Sequence, residues 1–132
     1  DQFRRVYFMV VTEDIFEAES MFFSQTTYKP IVSLTPFIMF GSPYMMKNLR
    51  EVQGFKTFSP WIDESYDEVE DPIERFYMIF DEIKKVCSLS NEELHSKYYS
   101  IFDKLEYNRN RLLEISNNLD FVVGNLFDIL KQ

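Results

Sequence analysis

The spacing of apolar runs predicts an α/β chain in two parts, a front built on a parallel sheet over residues 1–70 and an all-helical segment over residues 71–132. Three observations predict it. Short β-branched and aromatic runs at 5–12, 37–40 and 55–58 alternate with stretches of helical period. Pro and Gly stand at the junctions between them. Beyond Asp71 the apolar residues recur three and four apart, as on one face of a helix.

Residues 5–12 (RVYFMVVT), closed by Glu13 and Asp14, read as a buried strand whose two-sided apolarity suits the centre of a parallel sheet. Tyr28, Ile31, Val32 and Leu34 line one side of a short helix, and Pro30 requires that helix to begin near Thr26 or Thr27, within a turn of the proline. Thr35 and Pro36 open the second strand, 37–40, which Gly41 ends. Strand, helix and parallel strand make a Rossmann-like unit. Ser42 as N-cap and Pro43 at the first helical position predict a helix over 44–53, and Gly54 suits a left-handed C-cap. Residues 55–58 complete the sheet as a short edge strand.

The helical segment opens at Asp71-Pro72-Ile73-Glu74, a capping-box variant. The expected buried face of its first helix is Ile73, Phe76, Tyr77, Phe80 and Ile83. Ser90-Asn91-Glu92-Glu93 is a second capping box, starting a helix that runs to about Ser116 with Leu94, Tyr98, Ile101, Phe102, Leu105, Leu112 and Ile115 as its stripe. A last helix over 119–130 contains Gly124. Phe76, Phe80, Phe102, Leu105, Phe121 and Leu126 are the tail residues expected in the core, on the sheet or on one another.

With 45% hydrophobic residues, 132 residues can bury a core. The chain begins with Asp1, which suggests a piece of something longer, and it carries neither a signal peptide pattern nor an apolar run of about 18 residues. One cysteine, Cys87, and one histidine, His95, fit a reducing, cytoplasmic setting and form no zinc cluster. The net charge of −8 argues against nucleic acid or an anionic membrane as partner. The excess is local: Asp63, Glu64, Asp67, Glu68, Glu70, Asp71 and Glu74 share a stretch free of Lys and Arg, and the rest of the chain is nearly balanced. That stretch reads as a solvated, helix-capping loop, with a divalent cation as the other use of its oxygens, although it lacks a D-x-D-x-D-G pattern. His95, among Glu92, Glu93 and Lys97, reads as solvated. Met45 and Met46 read as core, and Cys87 lies near a helix C-terminus, where the dipole opposes a thiolate. Gly-rich phosphate loops and the G-x-S-x-G elbow are absent.

The ordered string V-T-E-D (11–14), M-F-F-S-Q-T-T-Y-K-P-I (21–31), T-P-F-I-M-F-G-S-P (35–43), L-R (49–50), G-F-K-T-F (54–58) and W-I-D-E-S-Y-D-E-V-E-D (61–71) resembles a glycosyltransferase-like family of phages, large viruses and bacteria. That family carries T-E-K-T-[FY]-K-P-I, a Q-P-F-[IV] strand, G-F-K-T-F and an acidic W-D-E-S-Y-D segment, and it is reminiscent of the C-terminal half of fucosyltransferase-like GT-B enzymes. The resemblance covers about residues 6–86. It implies half of a GT-B fold that binds a nucleotide-sugar donor as substrate, with no cofactor, and that works with an N-terminal acceptor half or partner protein. By resemblance the donor site comprises Glu13, Ser24, Gln25, Thr26 and Lys29, with the glutamate of T-E-K on a ribose hydroxyl and the lysine facing the diphosphate. Gln25 and Thr26 replace the charged pair of the family motif. Losing a charge-assisted contact costs about 1.5–3 kcal/mol, so a second expectation stands beside the transferase: a noncatalytic interaction or structural module of a viral particle or host complex on the same scaffold.

Overall fold

The computed structural model describes residues 6–12 and 25–130, with the backbone alone described at 25, 26 and 119–129. The chain is α/β, mostly helical, around a two-stranded parallel sheet. Strand β1 (Met9–Thr12) pairs with β2 (Phe37–Phe40) in the register Met9 to Phe37 and Thr12 to Phe40. Helix α1 (Gln25–Val32) is the crossover between them, as the strand–helix–strand pattern requires. Pro30 sits in its second turn rather than its first. The helix accommodates it by ending within a turn, with Leu34 at φ 56° and Thr35 N–H donating to the Pro30 carbonyl at 2.8 Å.

The third strand does not form. The sheet stops at β2 because the Tyr66 hydroxyl accepts the Met39 N–H at 3.0 Å, in the place where another strand would pair. Residues 55–58 are held instead by side chains from distant elements. The Asn108 carboxamide accepts the Lys56 N–H at 2.8 Å and donates to the Lys56 carbonyl at 2.7 Å, imitating the peptide group of a neighbouring strand. Glu64 accepts the Phe58 N–H. Side chains of this kind satisfy backbone groups as fully as a ladder does.

Helix α2 (Met45–Glu51) begins later than Ser42 and Pro43 suggest, with Tyr44 as its left-handed N-cap at φ 68° and no side-chain cap of its own. Its free N–H groups are capped across the fold by Asp67, whose two carboxylate oxygens accept from Met46 N and Lys47 N at 2.9 Å each. Gly54 has φ 79°, as a left-handed C-cap should, and a Cβ there would press on the Arg111 guanidinium at 3.3 Å.

Helix α3 (Pro72–Cys87) starts where expected, its N-cap Asp71 accepting from Ile73 N and Glu74 N. It buries mainly the face opposite to the expected one: Arg75, Ile79, Glu82 and Val86 point inward, while Ile73, Phe76, Tyr77 and Phe80 are exposed and, of the expected residues, Ile83 alone packs against the core. Polar groups on the inward face carry structural bonds that an aromatic ring cannot make. Arg75 ties three backbone carbonyls, and Glu82 accepts the Asp63 N–H at 2.9 Å.

The Ser90 capping box opens α4 (Asn91–Ser100) with both reciprocal bonds present. The helix does not run on to Ser116. It breaks at Ile101, whose side chain is buried, and α5 (Phe102–Leu130) continues unbroken through Gly124. The expected stripe faces the core, with Ile101 and Leu105 buried and Leu94, Tyr98, Phe102, Leu112 and Ile115 packed against it. Phe121 and Leu126 have side chains outside the described residues. One core therefore joins both halves of the chain, running from Val11, Ile38 and Met39 through Met45, Met46 and Leu49 to Ile79, Val86 and Leu105.

Candidate functional site

The parallel sheet fixes where its crossover helix begins. The chain leaves β1 at its carboxyl end and re-enters β2 at its amino end, so the N-terminal turn of α1 lies toward the carboxyl edge. At that edge an open cleft of about 540 Å³ lies between the last residues of the two strands, Thr12 and Phe40, and the start of α3 at Pro72 and Arg75. Gly41, Ser42 and Pro43 form its floor loop, and Glu70 stands on its rim.

The loop is rigidly tied. Arg75 is almost fully buried, and its guanidinium donates to the carbonyls of Tyr66, Gly41 and Ser42. These three bonds use part of a fork that carries five N–H groups. Among the described residues no carboxylate forms an ion pair with it. Burial lowers the Arg75 pKa and the nearby charge of Asp67 opposes that shift, so the guanidinium stays cationic at the cleft wall. On the other side of the loop the Tyr44 N–H donates to the Asp67 carbonyl at 2.8 Å, and the Tyr44 hydroxyl donates to Glu70 at 2.8 Å. That carboxylate bond raises the Tyr44 pKa.

The acidic stretch is consequently a set of structural fasteners more than a solvated loop. Asp71 caps α3, as expected of it, and Asp63 turns the chain by accepting the Ser65 N–H at 3.0 Å. Glu64 and Asp67, however, are turned inward: Asp67 is 1% exposed, and the Glu64 carboxylate lies 3.7 Å from Arg50. Among the described residues no three His, Cys, Asp or Glu side chains converge as a metal site would.

Of the five residues assigned by resemblance to donor binding, Glu13 and Ser24 lie outside the described residues, although Glu13 directly follows the cleft residue Thr12. Gln25 and Thr26 have described backbone only, in the first turn of α1. Lys29 is exposed in the last turn of that helix, four residues from Gln25 and so on the same side of it. Sequence reasoning passed over Arg75 and read Ser42 only as a helix N-cap. The signal for Arg75 was its place at i, i+4, i+7 and i+11 with Ile79, Glu82 and Val86, a stripe that the neighbouring aromatics obscure.

His95 is exposed on α4, its Nδ1 3.2 Å from the Tyr7 hydroxyl and its ring against Tyr99. Cys87 is exposed and free at the end of α3. A second, apolar cavity of about 440 Å³ lies between α1 and α5, bordered by Tyr28, Val32, Leu112 and Ile115. No described helix is long and apolar enough to cross a membrane. Compared with models of known protein families, with curated proteins and with solved structures, the chain matches none of them.

Proposed function

We propose that this chain is the donor-binding half of a glycosyltransferase-like protein, holding a nucleotide sugar in the cleft at the carboxyl edge of β1 and β2. The observation that carries the reading is the position and charge of that cleft. Ligands of parallel α/β sheets bind outside the carboxyl ends of the strands, and this cleft adds the Arg75 cation, whose fork keeps donors beyond its three carbonyl bonds. The resemblance of residues 6–86 to the transferase family supports the same reading, since the residues it assigns to the donor follow β1 in sequence and open α1.

In this reading the diphosphate sits against Arg75, and that positive charge stabilises the nucleoside diphosphate as it leaves the sugar. The acceptor comes from a half or partner outside these residues. The test is calorimetric titration with UDP, GDP and CDP, alongside Ser42→Trp. Ser42 is exposed and contributes only its backbone carbonyl to the Arg75 bonds, so a large side chain there should fill the cleft and spare the fold. One nucleotide should bind the wild type and not this variant, with the melting temperature of the two alike. Equal binding by both would place the nucleotide elsewhere.

The exposed aromatic face of α3 favours a second reading, an interaction module, because apolar patches of that size mark binding surfaces. The two readings occupy different surfaces, apart from Phe40 and Pro72 where the cleft meets that helix.

A further inference from the structure

We propose that two copies of this chain pair through α3, its exposed aromatic face packing antiparallel on the same face of the second copy. Along this helix Ile73, Phe76, Tyr77 and Phe80 fall at i, i+3, i+4 and i+7 and are 70%, 47%, 61% and 44% exposed. Among the described residues the helix buries its Arg75-Ile79-Glu82-Val86 face and leaves this second apolar stripe open. The side chains are pre-ordered for packing: the Phe76 and Phe80 rings stack with 4° between their planes, and Phe76 meets Phe40 of β2 edge to face. Large side chains of about 150–250 Å² each, exposed to this extent, leave on the order of 500 Å² of apolar surface per copy, near the largest patch of a typical monomer. Doubled across a two-fold axis, that is about 1,000 Å², at the lower bound of a specific interface.

The charges around the face identify the occupant. Glu74 stands at its N-terminal end and Lys84 at its C-terminal end, while Glu70 and Asp71 are held by Tyr44 and the α3 cap and Lys85 pairs with Glu82 at 3.6 Å. Lys84 already lies over the Phe80 ring, with its ammonium 4.7 Å from the ring centre. Glu74 and Lys84 are ten residues apart, about 15 Å along the helix, and the aromatic side chains lie between them. In an antiparallel pair whose axis passes level with residue 79, Glu74 of each copy comes level with Lys84 of the other. A parallel pair would set Glu74 against Glu74 and Lys84 against Lys84. Opposed charges therefore select the arrangement that a closed two-fold dimer needs, in which one patch is its own complement. A wholly acidic or wholly basic partner would find a repulsive end on this face.

Sedimentation equilibrium of the chain over a concentration series, up to about 1 mM at the weak end of specific affinities, is the test. The wild type should approach twice its monomer mass. Phe76→Ser with Phe80→Ser should weaken association by about 100-fold or more, in keeping with the loss of central aromatic anchors, and an unchanged circular dichroism melt would show that the fold survives. Glu74→Lys and Lys84→Glu should each weaken the dimer about 3–10-fold, and the two together in one chain should restore it. A wild type that stays monomeric throughout would overturn the proposal, whether or not some other protein binds this face. So would a dimer indifferent to the serine pair, or one that single charge reversals weaken and the paired reversal fails to restore.

Discussion

At the scale of single residues, the most consequential side chains are acids doing backbone work. Asp67 is buried and its two oxygens each accept an N–H from the start of α2, which has no cap of its own. A carboxylate on two helix N–H groups combines a cap with a favourable dipole. Asp67→Ala should therefore cost about 2–3 kcal/mol, since it leaves two donors unpaired beside a buried loop, and Asp67→Asn should cost less because one acceptor remains. Urea denaturation of the three proteins is the check. Glu64 behaves differently. Burial raises its pKa, against the bonds from Thr57 and Phe58 and the charge of Arg50 that favour the ionised form. A carboxyl whose pKa is higher folded than unfolded contributes stability below its unfolded pKa and loses it as pH rises through the folded value. Unfolding measured from about pH 4 to pH 7, starting near the ordinary glutamate pKa, should show the wild type losing stability relative to Glu64→Gln as pH rises. A wild type that gains on this variant over that range would mean that the Arg50 pair outweighs desolvation.

At the scale of elements, local chemistry was legible and distant chemistry was not. The caps at Asp71 and Ser90, the left-handed Gly54 and the parallel β1–α1–β2 unit follow from residues within a few positions of one another, and each is present. The failures share one cause. Residues 55–58 have strand composition, yet Asn108, 52 positions beyond Lys56, takes the part of the neighbouring strand. The start of α2 is set by Asp67, 21 positions after Met46. The most instructive case is α3, which has two plausible faces. Hydrophobicity favours the aromatic one, whereas the core needs the donors of Arg75 and the acceptor of Glu82. Alanine substitutions separate the faces: Ile79→Ala should cost about 2–5 kcal/mol as a core truncation, and Phe80→Ala less than about 1 kcal/mol in the monomer, as a half-exposed site. Chemical denaturation at low protein concentration measures both, and a Phe80→Ala cost equal to that of Ile79→Ala would put the aromatic face in the core.

At the scale of the whole molecule, the fold turns a short parallel unit into a cleft by surrounding it with helices, and the cleft was only half legible. Its position follows from the strand–helix–strand order, but its cation comes from a helix read as packing the other way. The donor site we propose adds to that cation the first turn of α1, where Gln25 and Thr26 stand in place of the glutamate and lysine of the motif they resemble. Lys29, four residues on and exposed in the last turn, carries its charge on the same side of that helix as Gln25. If a nucleoside diphosphate binds here, Gln25→Glu with Thr26→Lys should tighten it by up to about 2–3 kcal/mol, because a ribose hydroxyl and a phosphate each gain a charge-assisted partner. Lys29→Ala should loosen it. Titration of UDP, GDP and CDP into these variants, in a chain that includes any acceptor half, reads the effect directly. Tightening in the restored variant together with loosening in Lys29→Ala is the expected pair of results, since a diphosphate held at this edge must respond to charge added or removed along α1. No binding even by the restored variant would remove the donor site from α1 and leave the aromatic face of α3 as the functional surface.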